Sequence, residues 1–141
     1  MSPDEIIAAA RECLGTPFRH QGRLPGVGLD CAGVAVHVAR RLGLVPQDSG
    51  HYGRLPVDGQ LQRQLDQQPF LRQRASASDR LPGDLLLMRF TGEPQHLAIL
   101  AHGTMIHAWE GAGKCCEHDL TLPWRGRIVA VYAFVNGAES E

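Results

Sequence analysis

The stretch that decides the fold is residues 28–42, which read GLDCAGVAVHVARRL. From Asp30 to Leu42 the apolar residues recur with helical spacing on one face, and the polar residues fall on the other. Cys31 lies in the first turn of this predicted helix, and Gly43 is suited to ending it. Unpaired backbone N–H groups and the helix dipole favour a thiolate at such a position. The stretch therefore predicts a helix with a reactive thiol at its start.

The composition is that of an ordinary globular protein of 141 residues, and we expect one domain over residues 1–141. The net charge of −1, with scattered arginines, gives no indication of nucleic acid or an anionic membrane as a partner. The longest apolar runs are too short to cross a bilayer, and the acidic N-terminus lacks the pattern of a signal peptide. We therefore expect synthesis in the cytoplasm, with any action outside the cell requiring another export route.

Helical signals dominate the first half of the chain. Ser2 and Glu5 form a capping box for a first helix, and its apolar face includes Cys13, which we interpret as a buried and inert thiol. Residues 16–29 have the glycine and proline content of a loop. Residues 46–79 are polar and predict a surface layer with one helix, whose apolar face is formed by Val57, Leu61 and Leu65.

Strand signals dominate the second half. After the turn at Pro82 and Gly83, the pattern predicts five strands, at residues 84–90, 96–101, 104–109, about 114–118 and 127–135. Helices followed by an antiparallel sheet define an α+β fold.

A predicted hairpin brings two histidines together. If residues 102–103 form a two-residue turn, the register places His107 directly opposite Ala98. Side chains alternate along a strand, so His96 shares this face. The two histidines then become diagonal neighbours roughly 5–8 Å apart, within reach of a hydrogen bond between their rings. A turn longer by one residue would put them on opposite faces.

The residues around Cys31 suit nucleophilic chemistry. A neighbouring imidazolium would lower the pKa of the thiol and give a nucleophile at neutral pH. The small residues Ala32 and Gly33 let a substrate carbonyl approach, and the Cys31 backbone N–H can donate to the developing oxyanion. Asp30 is either the N-cap of the helix or a polar contact for the substrate.

Five segments, in this order, resemble the NlpC/P60 family of cell-wall cysteine peptidases. They are GTPF at 15–18, GLDCAG at 28–33, PGDL at 82–85, HLAI at 96–99 and MIHA at 105–108. With these segments and PWR at 123–125, the chain looks most like the short single-domain members of the family that are encoded with phage tails and gene-transfer agents. The resemblance implies a papain-like fold with helices packed on an antiparallel sheet.

The resemblance also implies roles for individual residues. Cys31 is expected to be the nucleophile, His96 the general base and His107 the residue that orients His96. No metal or cofactor is implied. Two positions depart from the family pattern, with Ala32 where serine is usual and His20 where tyrosine is frequent. His20, Asp30 and Ala32 are the expected substrate-binding residues, and the two departures leave the substrate preference open.

The function that these expectations favour is a peptidoglycan endopeptidase. The family commonly cleaves stem peptides after D-γ-glutamyl and before the diamino acid. We expect a phage tail or baseplate partner to place the chain at the cell wall. One alternative is a tail-tip structural protein with an idle hydrolase site. Another is acyl transfer or thioester chemistry on the same fold.

A metal site near the end of the chain is not expected. Cys115 and Cys116 are followed by His118, but adjacent residues of a strand point to opposite faces. At most one thiol can therefore join His118, whereas tetrahedral zinc takes four ligands. His37, His51 and His102 are interpreted as surface residues. Trp109 and Trp124 are assigned to the core or to a groove wall.

Overall fold

The computed structural model describes residues 1–48, 59–92 and 95–136. In this part of the chain the helices are α1 (Pro3–Arg11), α2 (Cys31–Arg41), α3 (Gln60–Asp66) and α4 (Leu122–Arg125). The strands are β1 (Arg23–Leu24), β2 (Gly28–Leu29), β3 (Leu71–Gln73), β4 (Leu85–Met88), β5 (His96–Leu100), β6 (Thr104–Trp109), β7 (Lys114–Asp119) and β8 (Ile128–Phe134). The predicted α+β class is confirmed.

Helix α1 begins as its sequence predicts. The Ser2 side chain accepts from the Glu5 backbone N–H, and the Glu5 carboxylate accepts from the Ser2 backbone N–H. These reciprocal bonds satisfy two donors that a helix start leaves without partners. Cys13, just beyond the helix, is fully buried in the core, and burial raises the pKa of its thiol to about 12. The interpretation of Cys13 as an inert core thiol agrees with this position.

The six strands β3 to β8 form one antiparallel sheet in the order β3-β8-β4-β5-β6-β7. Helices α1 and α2 pack on one face, and a smaller apolar cluster with Trp124 of α4 covers part of the other. Strand β4 is buried on both sides, which explains why residues 85–88 are continuously apolar rather than alternating. Among the described residues, none of the helices has the length and apolar character needed to span a membrane.

The hairpin between β5 and β6 has the predicted register. Ile99 pairs with Ile106, and the Ala101 N–H donates to the Thr104 carbonyl across the His102–Gly103 turn. Gly103 has φ +79°, a left-handed conformation that a residue with a Cβ adopts at a cost. Counting back from these pairs puts Ala98 opposite His107, as the two-residue turn requires.

Several local predictions need correction. The loop at residues 16–29 contains the β1–β2 hairpin, and the polar layer contains β3. Both elements are too short to give a periodic pattern. Leu61 and Leu65 form the buried face of α3 as predicted, whereas Val57 and His51 lie outside the described residues. His102 is exposed, but His37 is mostly covered because its ring lies 2.8 Å from a Glu12 carboxylate oxygen.

Candidate active site

The start of α2 is held by a network centred on Asp30. One carboxylate oxygen accepts from the Gly33 N–H at 2.8 Å and from the Arg23 guanidinium at 2.8 Å. The other accepts from the Gln21 N–H at 2.9 Å. Asp30 is therefore the N-cap of α2, and it ties the preceding loop to the helix start. These hydrogen bonds show the first of the two roles expected for Asp30, that of the N-cap.

Cys31 follows this cap and faces a cavity of about 340 Å³. His96, the first residue of β5, lines the same cavity, as do the predicted substrate-binding residues His20, Asp30 and Ala32. The remaining wall is largely aromatic and includes Phe18, Phe90 and Trp109. The fold thus brings the thiol, the proposed base and all three expected binding residues to one opening.

Gly33 does not share this cavity, and its small size has another cause. A Cβ at Gly33 would lie 2.3 Å from the Gly22 carbonyl oxygen. The expectation that Gly33 makes room for a substrate carbonyl is therefore wrong. It makes room for the loop that precedes the helix, while Ala32 lines the cavity.

The thiol is not ionised in the free protein. Burial raises the pKa of Cys31 to about 12, and the negative charge of Asp30 adds to this effect. The backbone N–H groups of Leu97 and Ala32, together with the Arg23 charge, lower the pKa but do not compensate. The predicted low-pKa thiol at neutral pH is thus not observed, because desolvation outweighs the helix start.

His96 and His107 are joined by a direct hydrogen bond. Nε2 of His96 lies 2.6 Å from Nδ1 of His107, and the rings meet edge to face. Both residues are buried, and burial is the main cause that lowers their pKa values, to about 3 for His107 and well below the usual range for His96. Electrostatic interaction with His118 and, for His96, with His107 and Arg127 acts in the same direction. Both rings are therefore neutral near pH 7.

A third histidine extends this pair. Nε2 of His118 lies 2.8 Å from Nε2 of His107, and Nδ1 of His118 lies 2.9 Å from the Asp119 carbonyl oxygen. The motifs of the sequence do not predict that His118 joins the two site histidines. The signal that could have found it is the pairing of β6 with β7, in which His118 faces Met105, the residue two positions before His107.

The Asp119 carbonyl fixes one end of this series of hydrogen bonds, because a carbonyl only accepts and Nδ1 of His118 must therefore carry a proton. When the His118 ring is neutral, its Nε2 is an acceptor. His107 then donates from Nε2 and accepts at Nδ1, which receives the Nε2 proton of His96. The remaining nitrogen of His96, Nδ1, is left with a lone pair. The arrangement can therefore supply a base.

Aromatic side chains cover the histidines. The Trp124 ring stands 5.1 Å from the rings of both His107 and His118, and Trp109 stacks on His107 at 5.9 Å. Phe90 lies 5.2 Å from the His96 ring, and the Arg127 guanidinium lies over Phe90 and Trp124. This cover explains why the imidazoles of His96 and His107 lose solvent, which lowers their pKa values.

Comparison with known proteins identifies the class. The NlpC/P60 family profile matches residues 15–131, which include Cys31, His96, His107 and His118. The chain belongs to the NlpC/P60 family, as its motifs predicted. No curated protein sequence matches the chain.

Solved structures show the same fold. An NlpC/P60 family protein from Bacillus cereus matches with a TM-score of 0.71 and 18% identity, over 96% of this chain and 41% of that protein. The NlpC/P60 domain of the peptidoglycan hydrolase SagA matches with a TM-score of 0.67 and 22% identity, over 95% of this chain and all of that domain. The peptidoglycan hydrolase RipB from Mycobacterium tuberculosis matches with a TM-score of 0.67 and 20% identity, over 95% of this chain and 65% of that protein. The chain thus spans less than half of the Bacillus cereus protein and the whole SagA domain.

Proposed function

We propose that the chain is a cysteine endopeptidase that cleaves peptidoglycan stem peptides between D-γ-glutamyl and the diamino acid. The observation that carries this proposal is the shared cavity of Cys31 and His96, together with the bond from His96 to His107. The names of SagA and RipB as peptidoglycan hydrolases support the substrate class.

The proposed reaction begins with neutral partners. As the Cys31 sulfur attacks the γ-glutamyl carbonyl carbon, its proton passes to Nδ1 of His96, and the carbonyl oxygen becomes an oxyanion. The Cys31 N–H, in the first turn of α2, has no acceptor within the helix and can donate to that oxyanion. His107 keeps the His96 ring in place and stabilises the imidazolium through Nδ1.

Collapse of the oxyanion breaks the C–N bond. Nδ1 of His96 returns its proton to the departing amine, and a thioester remains on Cys31. Water then attacks the thioester carbonyl, gives one proton to His96, and releases the γ-glutamyl carboxylic acid, which loses its remaining proton to solvent. The proton on His96 goes back to the Cys31 sulfur. No metal or cofactor takes part in these steps.

The residues that line the opening suit a peptide with charged ends. Phe18, His20 and Glu110 border both the main cavity and a neighbouring depression that also contains Arg19. A cation and an anion on one wall suit a stem peptide, whose free ends carry both signs. Ala32 and His20, the positions that depart from the family pattern, both line the main cavity, so they are the residues most suited to adjusting the preferred peptide.

Digestion of purified sacculi tests the activity. The wild-type protein, Cys31→Ala and Cys13→Ala are incubated with sacculi under reducing conditions, and the products are mapped by mass spectrometry. Wild type and Cys13→Ala should release fragments with a new diamino-acid amine, and Cys31→Ala should release none. Equal products from wild type and Cys31→Ala, or none from wild type, would overturn the proposal.

A second candidate is a structural protein of a phage tail tip whose hydrolase site is idle, since a thiol with its pKa raised by burial is compatible with an idle site as well as with the proposed reaction. Association with a phage tail or baseplate, and action in the cell wall from a virion, are part of both proposals. Purified tail particles analysed by mass spectrometry should contain the chain. Particles that contain the chain while the pure protein leaves sacculi intact would favour the structural role, and particles without it would exclude tail association.

A further inference from the structure

Three metal-binding side chains lie together on one face of β6 and β7. Cys116 pairs directly with His107, and His118 lies two residues further along β7 on the same face. One ligand atom from each residue falls within 4.8 Å of the other two. The proposed reaction involves His107 directly and His118 only through its bond to His107, and Cys116 has no assigned task in it.

We propose that His107, Cys116 and His118 bind a divalent ion of the zinc class, and that the bound ion switches the hydrolase off. The inhibitory half of this proposal rests on the proposed function, whereas the binding half does not. Two imidazoles and one thiolate suit zinc and its soft neighbours and do not suit magnesium or calcium.

Strand β7 alone cannot hold a metal ion, as the sequence predicts, since it offers one thiol and one imidazole on a face. The two adjacent thiols are separated, because Cys115 is buried among the residues under α1 and α2 while Cys116 faces the histidines. The missing donor comes from the neighbouring strand, where His107 stands opposite Cys116. Three protein ligands leave a fourth position for water, as in metal sites that remain open.

The two ends of the group differ in exposure. His107 is fully buried, whereas Cys116 and His118 are only partly covered, so an ion can enter from their side. Because Nε2 of His118 already carries a lone pair, binding requires a proton to leave from the Cys116 thiol and another from Nε2 of His107. His96 takes up one proton in the same process, so zinc binding releases one proton in total.

The ion acts on the base through His107. A histidine that binds a metal by one nitrogen donates the N–H of the other to a partner. With the ion at Nε2, His107 therefore carries its proton at Nδ1 and donates it to Nε2 of His96. The neutral His96 ring must then hold its own proton at Nδ1. That nitrogen can no longer accept the proton of Cys31, so the thiol loses its base although the ion does not touch it.

Zinc binding is measured first, in a variant without the Cys31 thiol, so that this thiol cannot contribute to binding. Tag-free Cys31→Ala protein is titrated with zinc chloride by calorimetry in two buffers of different ionisation enthalpy. We expect one ion per chain and release of one proton. Adding Cys116→Ala should raise the dissociation constant at least about 10-fold, whereas adding Cys115→Ala, the adjacent thiol on the other face, should leave it unchanged. Equal affinity in the Cys116→Ala and Cys115→Ala forms would overturn the site.

The consequence for the base is measured by nitrogen NMR of the histidine rings in the Cys31→Ala protein. The His96 signals should change from a protonated Nε2 to a protonated Nδ1 on addition of zinc, and a chelator should reverse the change. Unchanged His96 signals at full occupancy would overturn the switch while leaving the binding site intact. This readout remains valid even if the protein does not cleave peptidoglycan.

Inhibition is compared last, with each variant scaled to its own rate without metal. At zinc concentrations that saturate the site, wild type and Cys115→Ala should lose at least about 10-fold in rate, and Cys116→Ala should lose much less. Equal inhibition of Cys116→Ala and wild type would mean that zinc acts directly on Cys31. Absence of any cleavage without metal would count against the proposed function and not against the binding site.

Discussion

Nε2 of His96 lies 2.6 Å from Nδ1 of His107, and the direction of this hydrogen bond decides whether Nδ1 of His96 keeps a lone pair. In a neutral imidazole one nitrogen donates and the other accepts, so the partner of one nitrogen fixes the role of the other. His107 is fixed in the same way by His118, which is fixed by the Asp119 carbonyl. With a neutral His118, the tautomer of the base is thus determined by the Asp119 carbonyl at the end of β7, through the series of His118, His107 and His96.

The first prediction concerns the acceptor on residue 107. His107→Leu fills the space but removes the acceptor of the His96 proton, and kcat/KM on stem peptide should fall by about 100-fold. In His107→Asn the side-chain oxygen takes the position that Nδ1 has in histidine, so this variant should recover part of the loss. Both rates are measured on protein whose fold is checked by circular dichroism. An Asn variant no better than the Leu variant would contradict the role of an acceptor at this position.

The second prediction concerns the ionisation of the thiol. Because the pKa of Cys31 is raised to about 12 and that of His96 is lowered, the free protein contains a neutral thiol beside a neutral imidazole. Alkylation of Cys31 by iodoacetamide should therefore rise about tenfold per pH unit between pH 6 and pH 9, without a plateau in acid. Peptide mass spectrometry separates Cys31 from the partly exposed Cys116.

A plateau of fast alkylation near pH 6 would contradict this expectation, since it would show a thiolate paired with an imidazolium. Slow alkylation at pH 6 does not by itself make the site idle. In the proposed reaction the proton leaves the sulfur only while the carbonyl is attacked, so the alkylation profile and the digestion of sacculi must be read together.

The third prediction concerns acid stability. Histidine titrates near pH 6.5 in an unfolded chain, whereas the pKa of His107 is lowered to about 3 in the fold and that of His96 is also depressed. Between these values the unfolded chain binds more protons, so stability present above pH 6.5 is lost as the pH falls. The slope for each histidine is about 1.4 kcal/mol per pH unit.

Urea unfolding at pH 7.5, 6 and 5 measures this loss. Replacing His107 by Gln should reduce the slope between pH 6.5 and pH 5, while replacing the exposed His102 by Gln provides the matched control and should retain it. A wild-type stability that is constant from pH 7.5 to pH 5 would contradict the buried neutral histidines.

The sequence accounts for the site where short-range rules apply. The two-residue turn at His102 and Gly103 fixes the hairpin register, and from it the meeting of His96 and His107 follows. The capping pattern places Cys31 at a helix start in the same way. Each of these inferences depends on a few neighbouring residues and on the period of one element.

Other features depend on the whole fold and were not predictable. His118 meets His107 because the turn through residues 110–113 sets the register of β7, and no simple turn motif announces it. The pKa of Cys31 depends on how completely β5 and the loop before α2 desolvate the thiol. The position of Cys31 at a helix start predicts a contribution that lowers the pKa of its thiol. Burial raises this pKa by more.

The fourth prediction concerns Asp84, in the segment before β4. Its carboxylate accepts two bonds from the Arg74 guanidinium, at 2.6 and 2.9 Å, and one from the Leu81 N–H at 2.8 Å. Asp84 is 3% exposed, so Asp84→Ala leaves Arg74 and the turn without their acceptor. We expect a loss of about 3 kcal/mol in the free energy of unfolding, at the lower end for a buried pair because Arg74 is partly exposed.

The surface pair of Arg11 and Glu117 serves as the comparison for Asp84. It has similar bidentate geometry, but the Arg11 side chain is 48% exposed, and ion pairs in contact with solvent contribute little. Arg11→Gln should therefore have a clearly smaller effect in the same urea titration. Equal effects of the two substitutions would contradict the importance of burial for Asp84.

The last prediction concerns the close approach of the loop to α2 at Gly33. A Cβ there would lie 2.3 Å from the Gly22 carbonyl oxygen, a backbone atom that Arg23 and Asp30 hold in place through their hydrogen bonds. Gly33→Ala should therefore cost about 1–3 kcal/mol and displace the helix start that carries Cys31.

Gly126 is the matched control for Gly33, because it also has a helical φ of −65° but a Cβ there would meet its nearest atom at 3.6 Å. Gly126→Ala should leave the urea midpoint unchanged or raise it, since alanine restricts the unfolded chain. If the close approach positions the thiol, Gly33→Ala should also slow product release from sacculi by more than its loss of folded protein explains, with Gly126→Ala at the wild-type rate. Equal midpoints and equal rates for the two variants would mean that the loop moves aside freely, and the Asp30 network would then not position Cys31.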